Sequence, residues 1–389
     1  MLMTSVQRED GEALQDRMLP GVSRTFALTI PELPPSLRLA VTNAYLLCRT
    51  ADTIEDEVSL TVDQKQHFEN QFVAVVEGRA SAEEFSAALV PLLSDHTLET
   101  ERDLVRRTAD VVAVTHGLVK RQRIPIERCV RIMCAGMPPF QRTTTLTGLA
   151  NVAELDRYCY CVAGVVGEML TDLFCAYDPD IDGRRDALAP FAVSFGQGLQ
   201  MTNIIKDVWS DRQRGVCWFP RDVFSRAGVD LATLAPGREV PGFAAGVDEL
   251  IGLAHAHLRN ALRYTLTIPR WETGIRRFCL WALGLAVLTL RKIHGNRRFL
   301  SGQTVKVSRS TVRATVLLSS WSVQHDQILT ALFRAAAAGL PLATIASPSP
   351  VPEPSDAPRR PAPVALPTPS PALRSSRDED VRSISRYQS

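Results

Sequence analysis

The chain lacks almost everything that would mark it as a β-protein. Strand-like alternation of apolar and polar residues is scarce and short, and no segment repeats with a period of 20 to 50 residues. It has no CxxC pair among its eight cysteines, Cys48, Cys129, Cys134, Cys159, Cys161, Cys175, Cys217 and Cys279. Most of these lie in apolar, helical-looking stretches. They read as reduced core thiols, which excludes a disulfide framework and a zinc knuckle and points to a cytoplasmic environment. No glycine-rich dinucleotide fingerprint is present. The net charge is only +2, so bulk charge gives no reason to expect a nucleic-acid partner, and any anionic ligand must be met by local clusters.

Long apolar runs are missing too. The longest, Phe278 to Leu290, has 13 residues, short of the ~20 that span a bilayer. Leu329 to Ala346 is apolar overall but is interrupted by Arg334 and broken by Pro341. The N-terminal residues are too charged for a signal peptide. These features predict a cytoplasmic protein and leave open a peripheral contact with membrane, through which a greasy ligand could leave.

What the chain does have is helix after helix. Apolar residues at Leu39, Val41, Ala44, Leu47, Cys48 and Ala51 give Leu37–Glu57 the spacing of a buried or amphipathic helix, started by Pro34, Pro35 and Ser36. The same logic predicts helices over 64–77, 100–119, 126–137, 154–174, 187–209, 247–266 and 273–294. From Ser347 the composition changes: residues 348–371 hold ten prolines in 24 positions, and the rest is rich in Ser, Arg and Asp. Such a segment buries too little apolar area to offset its ordering entropy. The expected organisation is a flexible stretch over 1–14, an all-α domain over 15–340 and a disordered Pro-rich tail over 347–389.

Two acidic clusters carry the chemistry. Asp52 and Asp56, in CRTADTIEDE, stand four apart and so share one helix face. Carboxylates at that spacing repel unless a cation lies between them. Alone, such a cluster is more often a solvated helix end. The second cluster, QMTNIIKDVWSD, sets Asn203, Asp207 and Asp211 in a stripe, with Gln200 a turn above Asn203. Two stripes emerging from apolar helices can face each other across a bundle cavity. Their hard oxygens suit Mg²⁺, which keeps waters and bridges to phosphates, and a diphosphate held between them would be ionised with Lewis-acid help. Arg24, Arg49 and Lys206 are the basic complement, the arginines offering a fork for phosphate oxygens.

SRTFALTI, CRTADTIEDE, YCYCVAGVVGEML and LQMTNIIKDVWSD occur here in the order found in the squalene/phytoene synthase family, and the resemblance covers about residues 20 to 310. It implies an all-α isoprenoid synthase fold with an active-site cavity in the bundle. By resemblance, Asp52, Glu55, Asp56, Asn203, Asp207 and Asp211 would hold magnesium. Ser23, Arg24, Phe26, Arg49, Gln200 and Asn203 would meet the substrate, and Tyr158 would stand beside the reacting centre. In its segment, Ala163, Gly164 and Gly167 leave room for close helix approach or for a ligand, while Tyr160, two residues on, should face elsewhere.

The N-terminal and YCYCVAG motifs are more similar to the family's squalene synthases than to its phytoene synthases. This implies condensation of two farnesyl diphosphates to presqualene diphosphate and NADPH-dependent reduction to squalene. The alternative is a non-reducing member making presqualene diphosphate, phytoene or dehydrosqualene. Arg24, Arg49, Lys206 and Lys306 match positions linked to the nicotinamide cofactor. The chain departs from the family pattern at Lys206, usually arginine, at Ser210, usually glutamate, at Val216, usually arginine, and at Ser308, usually basic. A helical scaffold without chemistry is the remaining class, and the intact acidic pairs argue against it.

Overall fold

The computed structural model describes residues 5–345 apart from Arg24, Thr144, Glu239 and Arg298, with side chains from Glu9 onward. The tail expected to be disordered lies outside the described residues. Among the described residues there are seventeen α-helices and no strand; a single isolated bridge joins Leu149 to Pro220. In chain order they begin with α1 (Ser5–Val22), α2 (Thr25–Thr29), α3 (Pro35–Asp56), α4 (Val62–Val76), α5 (Ala82–Leu89), α6 (Glu99–Arg106), α7 (Thr108–Gly117) and α8 (Lys120–Thr143). Then follow α9 (Val152–Cys159), α10 (Val165–Tyr177), α11 (Pro179–Asp182), α12 (Arg185–Gln213), α13 (Arg221–Arg226), α14 (Phe243–Thr267), α15 (Thr273–Gly295), α16 (Arg309–Trp321) and α17 (Asp326–Ala336). Residues 5–14, expected to be flexible, are part of α1, whose Leu14 is buried in the core.

The apolar spacing that predicted α3 is the spacing that buries it: Leu39, Val41, Ala44, Leu47, Cys48 and Ala51 are all in the core. Two expected helices are interrupted. The stretch 100–119 breaks at Arg107, where the Thr108 hydroxyl donates to the Val105 carbonyl at 2.8 Å and competes with the backbone ladder. The stretch 154–174 is broken by a π-helical turn, Tyr160–Gly164, between α9 and α10. Such turns re-aim side chains within a helix and recur at functional sites.

The long helix α12 is the hub. It packs against α14 on one side and against α10 and the π-turn on the other, while α3 packs against α8 and α10. Glycine permits the closest of these approaches. A Cβ on Gly167 would lie 2.0 Å from the Ala192 carbonyl oxygen, and one on Gly196 would lie 2.0 Å from that of Ala163. The backbones of the π-turn region and α12 therefore touch directly, and the cavity described below opens beside them.

The longest apolar run continues, within α15, into a 23-residue helix, and the stretch Val152–Tyr177 has 26 residues; both are long and apolar enough to cross a membrane by length and composition. In each, 61% of the most apolar window is buried inside the protein, as expected of core helices. The cysteines are free, and all but the half-buried Cys161 are buried.

Replacing Gly196 with Ala should force α12 away from the π-turn and cost about 1–3 kcal/mol, the usual penalty for overpacking. Gly295→Ala, where an added Cβ meets nothing within 4 Å, should be neutral or slightly stabilising. Chemical denaturation of the two variants side by side checks this; equal midpoints would refute the close-contact account.

Candidate active site

The acidic stripes meet across one hollow. A cavity of about 1270 Å³ is lined at one end by Asp52, Glu55 and Asp56 from α3 and by Gln200, Asn203, Asp207 and Asp211 from α12. Much of the rest of its wall is apolar and includes Leu170, Phe174, Phe195, Phe278, Ala282 and Leu285. The wall also includes Ser23, Phe26, Arg49, Tyr158 and Lys206.

The α3 stripe sits at a helix end that is firmly held. Glu57, the residue after α3, accepts from Ser59 N at 2.8 Å, Ser94 N at 2.9 Å and Thr97 Oγ1 at 2.6 Å. Burial pushes its carboxyl up, but these hydrogen bonds outweigh it and bring the pKa down to about 2. The fourth acid of the cluster thus belongs to the scaffold. The other three line the cavity, and two of them, Asp52 and Glu55, behave in the opposite way. Burial, with the neighbouring Asp56 and Glu101 adding to it and Arg49 opposing, raises Asp52 to about 7. Glu55 is pushed well up by burial and by Asp56, Asp52 and Glu69. Across the gap, burial raises Asp211 to about 6 against the pull of Arg214. Carboxylates this poorly solvated and this close demand a cation.

Here that cation is Arg214. Its guanidinium bonds Asp56 through Nη1 and Asp211 at 2.7 Å through Nη2, so one side chain ties α3 to the end of α12. Arg214 lies two residues before Val216, the position where the resemblance leads one to expect an arginine. Sequence reading passed over it because it falls outside the matched motifs, although its place three residues after Asp211, one helix turn, was a signal.

The remaining basic groups are also engaged. Arg49 pairs with Glu101 and lies 3.7 Å from Asp52. Lys206 donates to Asn203 Oδ1 at 3.2 Å and pairs with Asp207 at 3.1 Å. Ser23 Oγ accepts from Phe26 N at 3.0 Å, which sets the short helix carrying Phe26 against the wall. Arg24 lies outside the described residues. The Lys306 side chain is exposed and is not part of the cavity wall. Its neighbour Gln303 does reach the wall, and Gly302 packs so closely that an added Cβ would sit 2.8 Å from Asp207 Oδ1.

Tyr158 is buried. Its ring stacks on Trp218 at 3.9 Å with planes 7° apart, and Phe140 meets it edge-on at 5.5 Å. Its hydroxyl donates to Glu55 Oε1 at 3.3 Å. Burial, with Glu55 and Asp56 adding to it, holds the phenol well above its ordinary pKa, so it keeps its proton. Tyr160 turns the other way, as expected, and bonds Glu168 at 3.3 Å. Trp218 is a site residue that sequence reading missed; the CWFP segment carrying it was visible, but nothing local showed that it folds back onto Tyr158.

Among the described residues no three His, Cys, Asp or Glu side chains converge tightly enough to chelate an ion unaided. Magnesium does not need that, because it takes one or two carboxylates and fills its shell with water and phosphate oxygens. The Arg214 guanidinium, standing between Asp56 and Asp211, marks a place for positive charge between the stripes. The donor set therefore fits Mg²⁺. For a nicotinamide cofactor the fit is poorer: Arg49 and Lys206 are paired with carboxylates and Lys306 is off the wall.

Comparison with known proteins gives the family. The squalene/phytoene synthase family model matches residues 19–311, and the chain belongs to that family. It is 28% identical to a squalene synthase of Eremothecium gossypii over 305 residues, covering 78% of this chain and 66% of that one. It is 29% identical to the squalene synthase of Saccharomyces cerevisiae over 318 residues, 76% of this chain and 64% of the other. The matched region thus spans about two thirds of the length of these relatives. Among solved structures, TcSQS in complex with a ligand superposes with a TM-score of 0.63 at 21% identity, covering 84% of this chain and 98% of that one. A dehydrosqualene synthase superposes at 0.60 with 20% identity, covering 81% and 97%. At these identities the superpositions show the all-α isoprenoid synthase fold.

Two predictions follow from the charges. Arg214→Gln should lower stability in the absence of metal by about 1–2 kcal/mol, a value discounted for the part-exposed guanidinium. Mg²⁺ with inorganic pyrophosphate should recover the loss. Thermal unfolding with and without these ligands reads it, and a variant as stable as the wild type in both conditions would show that Arg214 is not the counter-ion. The second concerns Glu69 on α4, fully buried, with both carboxylate oxygens unpartnered among the described residues and its pKa raised by burial to about 8. Below pH 4.5 both folded and unfolded chains carry this proton. Between about 4.5 and 8 only the folded chain does, so stability falls as pH rises through that window. Glu69→Gln should flatten the decline in denaturation midpoint from pH 5 to pH 8.

Proposed function

We propose that the chain is a magnesium-dependent prenyl transferase that condenses two farnesyl diphosphates head to head into presqualene diphosphate and, with NADPH, reduces that product to squalene. The observation that carries the first half is the pair of desolvated carboxylate stripes facing across one apolar hollow. At about 1270 Å³ the hollow exceeds the ~300–1,000 Å³ usual for one small ligand, as two isoprenoid chains require. The squalene synthases among the relatives support the substrate.

Asp52, Glu55 and Asp56 on one side and Asn203, Asp207 and Asp211 on the other would hold Mg²⁺. When bound, the metal neutralises the diphosphate and makes it a better leaving group. Arg49 and Lys206, on the same wall, can turn to the phosphate oxygens once metal satisfies their carboxylates. The protonated Tyr158 hydroxyl is a hydrogen-bond donor on the cavity wall, placed to orient the leaving group. The aromatic rings of Tyr158 and Trp218, both on the cavity wall, offer electron density to developing positive charge. The apolar walls exclude water, which would otherwise quench such a cation.

The reductive half rests on the relatives rather than on the wall. The exposed position of Lys306 favours a second reading, a non-reducing enzyme that stops at presqualene diphosphate or forms dehydrosqualene or phytoene.

Incubating purified protein with Mg²⁺ and farnesyl diphosphate, with and without NADPH, and identifying the lipid decides between them. Squalene formed only with NADPH is the expected result; presqualene diphosphate in both supports the second reading, and no condensed product refutes both. Asp52→Asn and Asp207→Asn should each lower turnover on the order of a hundredfold or more while leaving the helical circular dichroism intact. Tyr158→Phe should slow the first condensation.

A further inference from the structure

One face of the molecule is unaccounted for by the cavity. Helix α16 packs on the outside of α15: Thr315 lies against Gly284, where an added Cβ would be 2.7 Å from Thr315 Cγ2. Val316 joins a small cluster of Leu280, Trp281, Val323 and Leu329. Another side of α15 carries Phe278, Ala282, Leu285 and Thr289 into the cavity wall. A single helix therefore separates the interior hollow from α16.

The outer face of α16 is apolar and bare. Ala314, Leu317, Leu318 and Trp321 recur at helical spacing on that face, and Ser319 is the one buried residue of this helix. Leu317 is 69% exposed, Leu318 52% and Trp321 74%. Scattered exposed leucines are ordinary, but a contiguous stripe of large apolar groups on a soluble surface marks a contact site. At the N-terminal end of the same helix stand Arg309 and Arg313, both exposed. Among the described residues neither forms an ion pair with a carboxylate. Trp271, 59% exposed, lies next to Arg270, which bonds Asp326 at the start of α17, just beyond Trp321.

We propose that this face of α16 is a docking surface for an anionic lipid bilayer, with the helix lying in the plane of the interface. The 13-residue helix is too short to span a membrane. A tryptophan- and leucine-bearing face with free arginines beside it is the pattern of an interfacial helix: the apolar groups enter the acyl boundary and the guanidinium groups meet lipid phosphates. A protein partner would need a matching acidic and apolar groove, whereas a bilayer supplies both chemistries everywhere. The link to product release, one helix away from the cavity, rests on the proposed function; the docking face itself does not.

The test is sedimentation of the full chain with vesicles, paired with analytical ultracentrifugation of the protein alone. Vesicles of phosphatidylcholine with roughly a third phosphatidylglycerol should bind the wild type, and pure phosphatidylcholine should bind it more weakly. The triple change Leu317→Ser, Leu318→Ser and Trp321→Ser should weaken binding on the order of tenfold or more. Arg309→Gln with Arg313→Gln should abolish the preference for anionic vesicles, as should raised salt. All five positions are exposed, so circular dichroism and unfolding temperature should stay as in the wild type. Wild-type protein that ignores anionic vesicles overturns the proposal. So does a triple variant that binds as the wild type does, or a stripe whose loss merely turns a dimer into a monomer. Condensation activity on soluble farnesyl diphosphate is measured in parallel: inactive protein that still binds vesicles through this face would sink the proposed function and leave the docking surface standing.

Discussion

The structure is organised around carboxylates held where water solvates them poorly. Asp52, Glu55 and Asp211 are all pushed toward the neutral form by burial, and their carboxylate neighbours make the cost worse while Arg49, Lys65 and Arg214 oppose it. A fold does not keep such groups together unless positive charge is supplied, because their mutual repulsion is strongest where the surroundings are least polarisable. Arg214 supplies it and in doing so ties Asp56 on α3 to Asp211 on α12. The same instability is what the proposed magnesium and diphosphate would relieve.

The rest of the architecture serves that end. Helices α3 and α12 carry their apolar faces into the core and bring their acidic ends to one side of it. Gly167 and Gly196 let the π-turn region meet α12 at backbone distance, which sets Tyr158 on the same wall as the acids. Trp218 and Phe140 then clamp the phenol ring. Polar chemistry is confined to the rim, and the interior below is hydrocarbon and aromatic. That division suits a ligand with a charged head and a long apolar chain, and the bare stripe on α16 extends the same amphipathic character to the outer surface.

Much of this was legible beforehand because it is local. Helical periodicity identified α3 and α12, and the four-residue spacing of Asp52 with Asp56 and of Asn203, Asp207 and Asp211 put each set on one face. What local pattern could not reveal were interruptions caused by competing hydrogen bonds, as at Thr108, and by the π-turn after Cys159. Motif position alone tied Lys306 to the site; in the structure Gln303 lines the cavity and Gly302 lies beside Asp207, while Lys306 is exposed. Arg214 and Trp218 were missed because the partners that matter, Asp56 for one and Tyr158 for the other, lie far away in sequence.

The amino-acid sequence by itself determined the all-helical class and the two oxygen-bearing stripes, since both depend on contacts within a few residues along one helix. Only the tertiary structure decided that those stripes face one another, that an arginine closes the gap between them, and that a tryptophan plane backs the phenol. These are relations between segments more than fifty residues apart in the chain, and no periodicity within a single helix encodes the direction in which another helix arrives.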